Sequence, residues 1–319
     1  MPPAIQTDQL TKDFPVGFWR TRPYRALDRL TLEVQPGEVF GFLGPNGAGK
    51  TTTLKLLMQL IFPTSGRAEI LGRPAGDLEV RRRIGFLPEH PYFYDYLTAE
   101  ELLTYFAGLF GYAGADRRAR VSRLLDEVGL GAERRLQLRR FSKGMVQRVG
   151  IAQALLNDPE VVFLDEPMSG LDPLGRRDMR GLVLRLRDEG RTVFFSSHIL
   201  SDAEALCSRV AILAGGRLAA SGRLTDLLAY EIRGWELVVS GLPADALRRA
   251  VPDAVRLTAL DERRVTMELP KEAETAHVVG QIAAAGGTVV SLNPLHTTLE
   301  EIFVRQVQAT ETARAGAFE

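Results

Sequence analysis

The spacing of apolar positions divides the chain into three parts. Up to about residue 230, short apolar runs alternate with stretches of helical period, the pattern of a mostly parallel sheet covered by helices. Leu30–Val34 and Glu38–Leu43 predict strands on either side of the turn Gln35-Pro36-Gly37, and the second runs straight into a glycine-rich loop. Val161–Leu164 and Thr192–Ser196 are unbroken apolar runs, expected where both sheet faces are buried. Arg209–Leu213 and Arg217–Ser221 flank Ala214-Gly215-Gly216 and predict a hairpin. Between about Pro91 and Arg140 the strand pattern stops. Thr98-Ala99-Glu100-Glu101 has capping-box spacing and opens a helix through Phe110, while a second helix, Asp116–Val128, ends at Gly129. This block is a helical insertion in an α/β domain.

Beyond about Arg233 the order of elements changes. Strand Trp235–Ser240, helix Ala244–Ala250, strands Ala254–Leu257 and Arg263–Leu269, helix Lys271–Ala285 and strand Thr288–Leu292 follow, and a short helix opens at Thr298. That β-α-β-β-α-β order predicts a small α+β, ferredoxin-like domain over residues 234–306. The first domain takes residues 1–230, with its helical insertion at about 91–140. Residues 307–319 are expected to be a frayed tail.

Composition narrows the function classes. The 319 residues are 45% hydrophobic and 25% charged, enough for real cores, and carry 40 basic against 40 acidic side chains. That balance supplies no global field for nucleic acid. The single cysteine, Cys207, excludes an internal disulfide and a cysteine metal site. No apolar run approaches the roughly 18 residues of a membrane helix, and the N-terminus lacks a secretory pattern, so a cytosolic address is expected.

The chemistry concentrates at two strand ends. Gly44-Pro45-Asn46-Gly47-Ala48-Gly49-Lys50-Thr51 has P-loop spacing, after a strand and before the helical Thr52–Leu60. Glycines let successive backbone N–H groups converge on phosphate oxygens, and the helix N-terminus adds its positive end. Lys50 can reach the outer phosphates and the Thr51 hydroxyl can ligate Mg²⁺. The second site is Val161-Val162-Phe163-Leu164-Asp165-Glu166-Pro167, which puts two carboxylates at the C-terminal end of a buried strand, where ligands sit in open α/β sheets. Asp165 suits Mg²⁺, directly or through water; Glu166 suits polarising an attacking water.

With these motifs on the page, residues 4 to 230 resemble an ABC ATPase. Phe141-Ser142-Lys143-Gly144-Met145-Val146-Gln147-Arg148 resembles that family's signature motif, just upstream of the Asp165/Glu166 strand. Ser169-Gly170-Leu171-Asp172 resembles its D-loop, and His198 follows the Thr192–Ser196 strand where the family has a switch histidine. The resemblance implies a P-loop core of mostly parallel sheet plus an antiparallel β subdomain. It also implies ATP and Mg²⁺ as ligands and a homodimer or heterodimer of nucleotide domains closing on two ATP molecules. The implied nucleotide set is Phe14, residues Gly44 through Thr52, Ser142, Lys143, Gly144, Met145, Gln147 and Asp172. Lys50, Glu166 and His198 are its catalytic members, and Thr51, Asp165 and Glu89 its metal ligands.

The match has departures. Glu89, after Ile84-Gly85-Phe86-Leu87-Pro88, stands where family members carry glutamine; a carboxylate still offers an oxygen ligand but adds negative charge beside phosphate. Lys143 and Met145 replace the usual glycine and glutamine. Phe14, in Thr11-Lys12-Asp13-Phe14, occupies the place of the adenine-stacking aromatic, with Phe18, Trp19 and Tyr24 of an apparent insertion as competitors. The aromatic stretch Tyr92-Phe93-Tyr94-Asp95-Tyr96-Leu97 adjoins the groove that in this family receives a membrane subunit, and interface cores are rich in aromatics. Residues Leu295 to Phe303 resemble the closing helix of the drug- and sodium-exporter branch. The expectation is an exporter motor peripheral to the cytoplasmic face of the cell membrane, driving separately encoded permease subunits. The competing readings are a soluble ATPase acting on nucleic acid or ribosomes, and an energiser of envelope or motility machines.

Overall fold

The computed structural model describes residues 2–16, 22–228, 232–261, 264–296 and 299–304. Phe18, Trp19 and the tail 307–319 lie outside them. The chain divides into two compact units, with Thr225–Ile302 forming the second, and each is described by itself.

In the first unit, β1 (Ile5–Val16) and β2 (Arg22–Val34) form an antiparallel pair, followed by β3 (Val39–Leu43), α1 (Lys50–Leu57), β4 (Ser65–Ile70), the short β5 (Arg73–Pro74), α2 (Leu78–Arg81) and β6 (Ile84–Leu87). The insertion comprises α3 (Ala99–Leu109), α4 (Gly114–Glu127) and a 3-10 turn at Leu138–Arg140. Then follow α5 (Lys143–Ala154), β7 (Val161–Asp165), α6 (Pro173–Asp188), β8 (Thr192–Ser197), α7 (Leu200–Leu206), β9 (Arg209–Ala214) and β10 (Arg217–Arg223), and the short α8 (Leu224–Leu227) spans the boundary between the units. Two sheets result. One runs β2-β1-β4-β5 and is antiparallel; the other runs β10-β9-β3-β8-β7-β6, parallel except for its β10 edge. Helix α1 touches strands of both sheets. Their apolar faces share one core with it, in which Phe194 lies 5.2–5.8 Å from the rings of Phe42, Phe40 and Phe163.

Local signals explain several boundaries. The capping box at Thr98 forms with both of its bonds, and Ser142 caps α5 through the Met145 N–H. The β9–β10 turn uses Gly215 and Gly216, both at positive φ, as a two-residue hairpin of that twist requires. Other boundaries differ from expectation. Helix α1 stops at Leu57 rather than Leu60, because Gln59 turns left-handed at φ 53°. Of the expected insertion, whose bounds are Pro15 to Tyr24, the described residues at both ends continue the β1–β2 pairing, as far as Val16 and Arg22; residues 17–21 lie outside the described residues.

The second unit contains β11 (Ile232–Ser240), α9 (Ala244–Ala250), β12 (Arg256–Ala259), β13 (Arg264–Pro270), α10 (Thr275–Ala284) and β14 (Thr288–His296). Its sheet order, β12-β13-β11-β14 with every neighbour antiparallel, is the ferredoxin-like arrangement. Helix α10 starts at Thr275, four residues later than its pattern suggested, after a turn in which the Ala273 N–H bonds the Pro270 carbonyl. Leu247 and Ile282 of the two helices and Leu237, Val239 and Met267 of the sheet form a separate core.

One close approach sets the geometry of the site. Helix α5 lies directly on β6 because both contribute a glycine there. A Cβ on Gly85 would overlap the Ala154 carbonyl oxygen, and one on Gly150 would overlap Leu87. Gly85→Ala is therefore expected to destabilise the chain by about 2 kcal/mol or more, read as a lower urea midpoint. Gly280→Ala, on α10 with nothing near the added carbon, is expected not to lower it.

Candidate functional site

Parallel strands β3, β8, β7 and β6 end at one edge of the sheet, and each end carries a motif residue. The loop after β3 runs from Gly44 to Gly49, with Gly47 and Gly49 at positive φ, and enters α1 at Lys50. Lys50 is buried, and its Nζ donates to the carbonyls of Gly44 (2.7 Å) and Pro45 (3.2 Å). The same ammonium lies 3.2 Å from Glu166 Oε1. The loop is thus closed around its own lysine, with a carboxylate at the mouth.

Glu166 follows β7 in the left-handed region, at φ 49°, a strained position for a residue with a Cβ. Its N–H donates to Ser196 Oγ, and its Oε2 accepts from His198 Nδ1 at 2.8 Å. A carboxylate can only accept, so Nδ1 carries the proton and Nε2 is the ring's remaining polar atom. Glu166 Oε1 is buried without a hydrogen bond of proper geometry; the Lys50 ammonium beside it satisfies it by charge alone. Ser196, which the motif reading passed over, donates to Asp165 Oδ1 at 2.5 Å. It ties both acidic residues to β8, and its one sequence signal is a small hydroxyl at the end of an apolar strand. Burial pushes the Asp165 carboxyl above its ordinary pKa. Hydrogen bonds from Ser196 and Thr51 oppose that shift, and the charges of Glu166 and Glu89 add to it.

A cavity of about 460 Å³ faces this cluster, lined by Asn46, Gly47, Gly49, Lys50, Thr51 and Thr52 of the loop and by Glu89 and Glu166. Phe14 and Tyr24 also line it, as cross-strand partners on β1 and β2. Lys12 Nζ stands 5.1 Å from the Phe14 ring. Thr51 and Glu89 at the cavity, with Asp165 hydrogen-bonded to Thr51, form an all-oxygen donor set that fits a hard divalent cation such as Mg²⁺. Among the described residues no group of three His, Cys, Asp or Glu side chains makes a metal site by itself.

The signature residues lie elsewhere. Ser142, Lys143, Gly144, Gly170, Leu171 and Asp172 line a second cavity of about 380 Å³, which shares no lining residue with the first. Asp172 caps α6 through the Gly175 N–H. Gln147 faces neither cavity: it is 1% exposed, and its amide donates to the Glu89 carbonyl at 3.3 Å. In the single chain it therefore ties α5 to the Glu89 loop. The Tyr92–Leu97 stretch lies at the surface, with Tyr92, Tyr94 and Tyr96 98%, 60% and 59% exposed. The 3-10 turn fixes it by bonds from the Leu138 and Arg139 N–H groups to the Leu97 and Asp95 carbonyls.

A buried carboxylate with a raised pKa works against the fold once ionised. The destabilisation is absent below the ordinary value of 3.8 and grows as pH rises toward the raised pKa. Asp165→Asn is therefore expected to raise the thermal midpoint of the nucleotide-free chain at neutral pH, by about 1 kcal/mol in stability. The gain shrinks as pH falls toward 4, and calorimetry across that range checks both.

Comparison with known proteins places the chain in a family. Residues 27–169 match the ABC transporter family. An uncharacterised ABC transporter ATP-binding protein of Synechocystis sp. is 44% identical over 307 residues, spanning 96% of this chain and 85% of the relative. The bacitracin transport ATP-binding protein of Bacillus licheniformis is 43% identical over 221 residues, covering 68% of this chain and 69% of its own. A solved dimeric post-hydrolysis state of an ATP-binding cassette, bound to ADP and Pi, superposes with a TM-score of 0.63 at 28% identity, covering 69% of this chain and 98% of that one. The loop, the acidic strand end and the relatives converge on one conclusion: the chain belongs to the ATP-binding proteins of ABC transporters and is an ATPase.

Proposed function

We propose that the chain is the motor of an exporter, pairing head-to-tail with a second nucleotide domain and driving separate membrane subunits. The observation that carries the reading is the Lys50–Glu166–His198 cluster at the mouth of the glycine loop. In this reading phosphate oxygens replace the Gly44 and Pro45 carbonyls and Glu166 as partners of Lys50. Thr51, Asp165 and Glu89 would hold Mg²⁺, which would supply positive charge to the phosphates. Glu166, released from Lys50, accepts a proton from the water that attacks the γ-phosphorus as the bond to the ADP oxygen breaks. His198, held through Nδ1, keeps Glu166 and the phosphate in register. Phe14, with Tyr24 beside it, supplies the aromatic surface for adenine.

The separation of the two cavities supports the paired arrangement. Ser142, Lys143 and Gly144 do not meet Lys50 within one chain, so they are placed to complete the site of a second copy. ATP then binds the closed pair better than the open one, and hydrolysis removes that difference. The exposed tyrosines from Tyr92 to Tyr96 are the docking surface for a membrane subunit. Among the described residues no helix is long and apolar enough to cross a membrane, so the reading needs that partner and places the chain at the cytoplasmic face of the cell membrane. The 225–302 unit acts as a brace or regulatory cap of the pair.

Glu166→Gln is expected to lower ATP turnover at least about a hundredfold while leaving MgATP binding intact; retained turnover would remove Glu166 from the water. A photo-crosslinking residue at Tyr92 is expected to capture a multi-span membrane protein from native membranes. Capture of ribosomal protein or nucleic acid alone would favour the soluble rival.

A further inference from the structure

The cavity at the glycine loop is poor in positive charge. Among the described residues lining it, Lys50 is the one cation, while Glu89 and Glu166 are both acidic and Asp165 is buried against Thr51. Lys50 is moreover committed, with two backbone carbonyls at 2.7 and 3.2 Å and Glu166 at 3.2 Å. A nucleoside triphosphate carries several negative charges, and binding it here brings like charges together unless a divalent cation enters with it. Most of that opposition is fixed by roles the reaction imposes on Asp165 and Glu166. Glu89 differs, because a neutral amide at its position would offer the same oxygen ligand without the charge.

The surroundings of Glu89 keep it at the cavity. Its backbone carbonyl is anchored to the buried Gln147, and its side chain lines the cavity beside Thr51 and Glu166. Its side chain is 42% exposed, with the His90 ring 3.7 Å away, so its field is softened by solvent without being removed. We propose that Glu89 makes this site select metal-bound over metal-free nucleotide, an electrostatic discrimination that a glutamine there would not provide. The inference rests on the reading of the glycine loop as the phosphate site. It concerns which ionic form of the nucleotide enters, and is separate from turnover.

Like-charge repulsion acts against free nucleotide. For the metal-bound form it is offset by the added cation, to which a carboxylate contributes as ligand. Removing the charge should therefore improve binding of free nucleotide and leave the metal-bound form unchanged or slightly weaker. An interaction between partly exposed charges is worth up to about fivefold in affinity.

Calorimetric titration of the purified full-length chain with a non-hydrolysable ATP analogue, in EDTA and then in excess Mg²⁺, measures the ratio of the two dissociation constants. Glu89→Gln is expected to narrow that ratio about fivefold, chiefly by tightening the EDTA arm, and Glu89→Asp to keep it near the wild-type value. Raising the salt should shrink the wild-type ratio toward that of Glu89→Gln. If wild type and Glu89→Gln bind both forms with the same ratio, the selection is not made by Glu89 and the inference falls, with the phosphate-site reading intact. If Glu89→Asp loses the ratio as fully as Glu89→Gln, side-chain length rather than charge is responsible, which also overturns it. If the wild-type chain binds neither form, the phosphate-site reading fails and takes the inference with it.

Discussion

The buried contact between Lys50 and Glu166 organises the nucleotide site. An ammonium and a carboxylate, each only 6% exposed at the side chain, have given up most of their water, and neither is stable there without the other. The glycine loop is wrapped around the cation, which donates to the Gly44 carbonyl and shares the Pro45 carbonyl with the Ala48 N–H. On the other side, Glu166 is held by Ser196 and His198 in a backbone conformation that costs strain. Sheet order makes the meeting possible, because β8 lies between β3 and β7 and contributes the serine and histidine. In the proposed function, nucleotide binding amounts to an exchange of anions at a site where the positive charge is already buried.

The charge at this site is arranged for function at the expense of stability. Asp165 is buried and disfavoured as an anion, Glu166 is strained, and its Oε1 lacks a proper hydrogen bond. Each feature opposes the free chain and is relieved by a cation or a phosphate. Asp28, elsewhere in the same unit, is a buried charge of the other kind. Asp28 is drawn on by Arg217, Arg29 and Arg25; burial alone would raise its pKa, and these partners lower it. The contrast separates charge that holds the fold from charge that waits for a ligand.

Much of this was legible in the residues. The glycine loop, the two carboxylates after an apolar strand, and the histidine after the next are contiguous signals, and contiguous signals survive folding. The ferredoxin-like strand order followed from element order alone, since few topologies suit β-α-β-β-α-β. What escaped was whatever depends on the third dimension. Ser196 matters because β8 lies beside β7, which no local pattern records. Gln147 sits in a motif whose neighbours face a cavity, yet its place on the helix turns it inward. The start of α10 was misplaced by four residues because helix-forming residues continue through a turn that Pro270 imposes. Tyr24 became a partner of Phe14 only through the register of a hairpin.

The glycine pair at Gly85 and Gly150 has a mechanical consequence. Where most helices rest on a sheet through side chains, a small displacement is absorbed by rotamer changes along the contact. Here Gly85 of β6 lies against the Ala154 carbonyl of α5 with no side chain between them, Gly150 of α5 lies against the Leu87 side chain, and Gln147 pins the same helix to the Glu89 carbonyl. A contact of backbone on backbone has no slack. A shift of the strand end, where Glu89 meets the nucleotide cavity, is passed undamped to the helix that Ser142 caps, as one tooth of a gear drives the next.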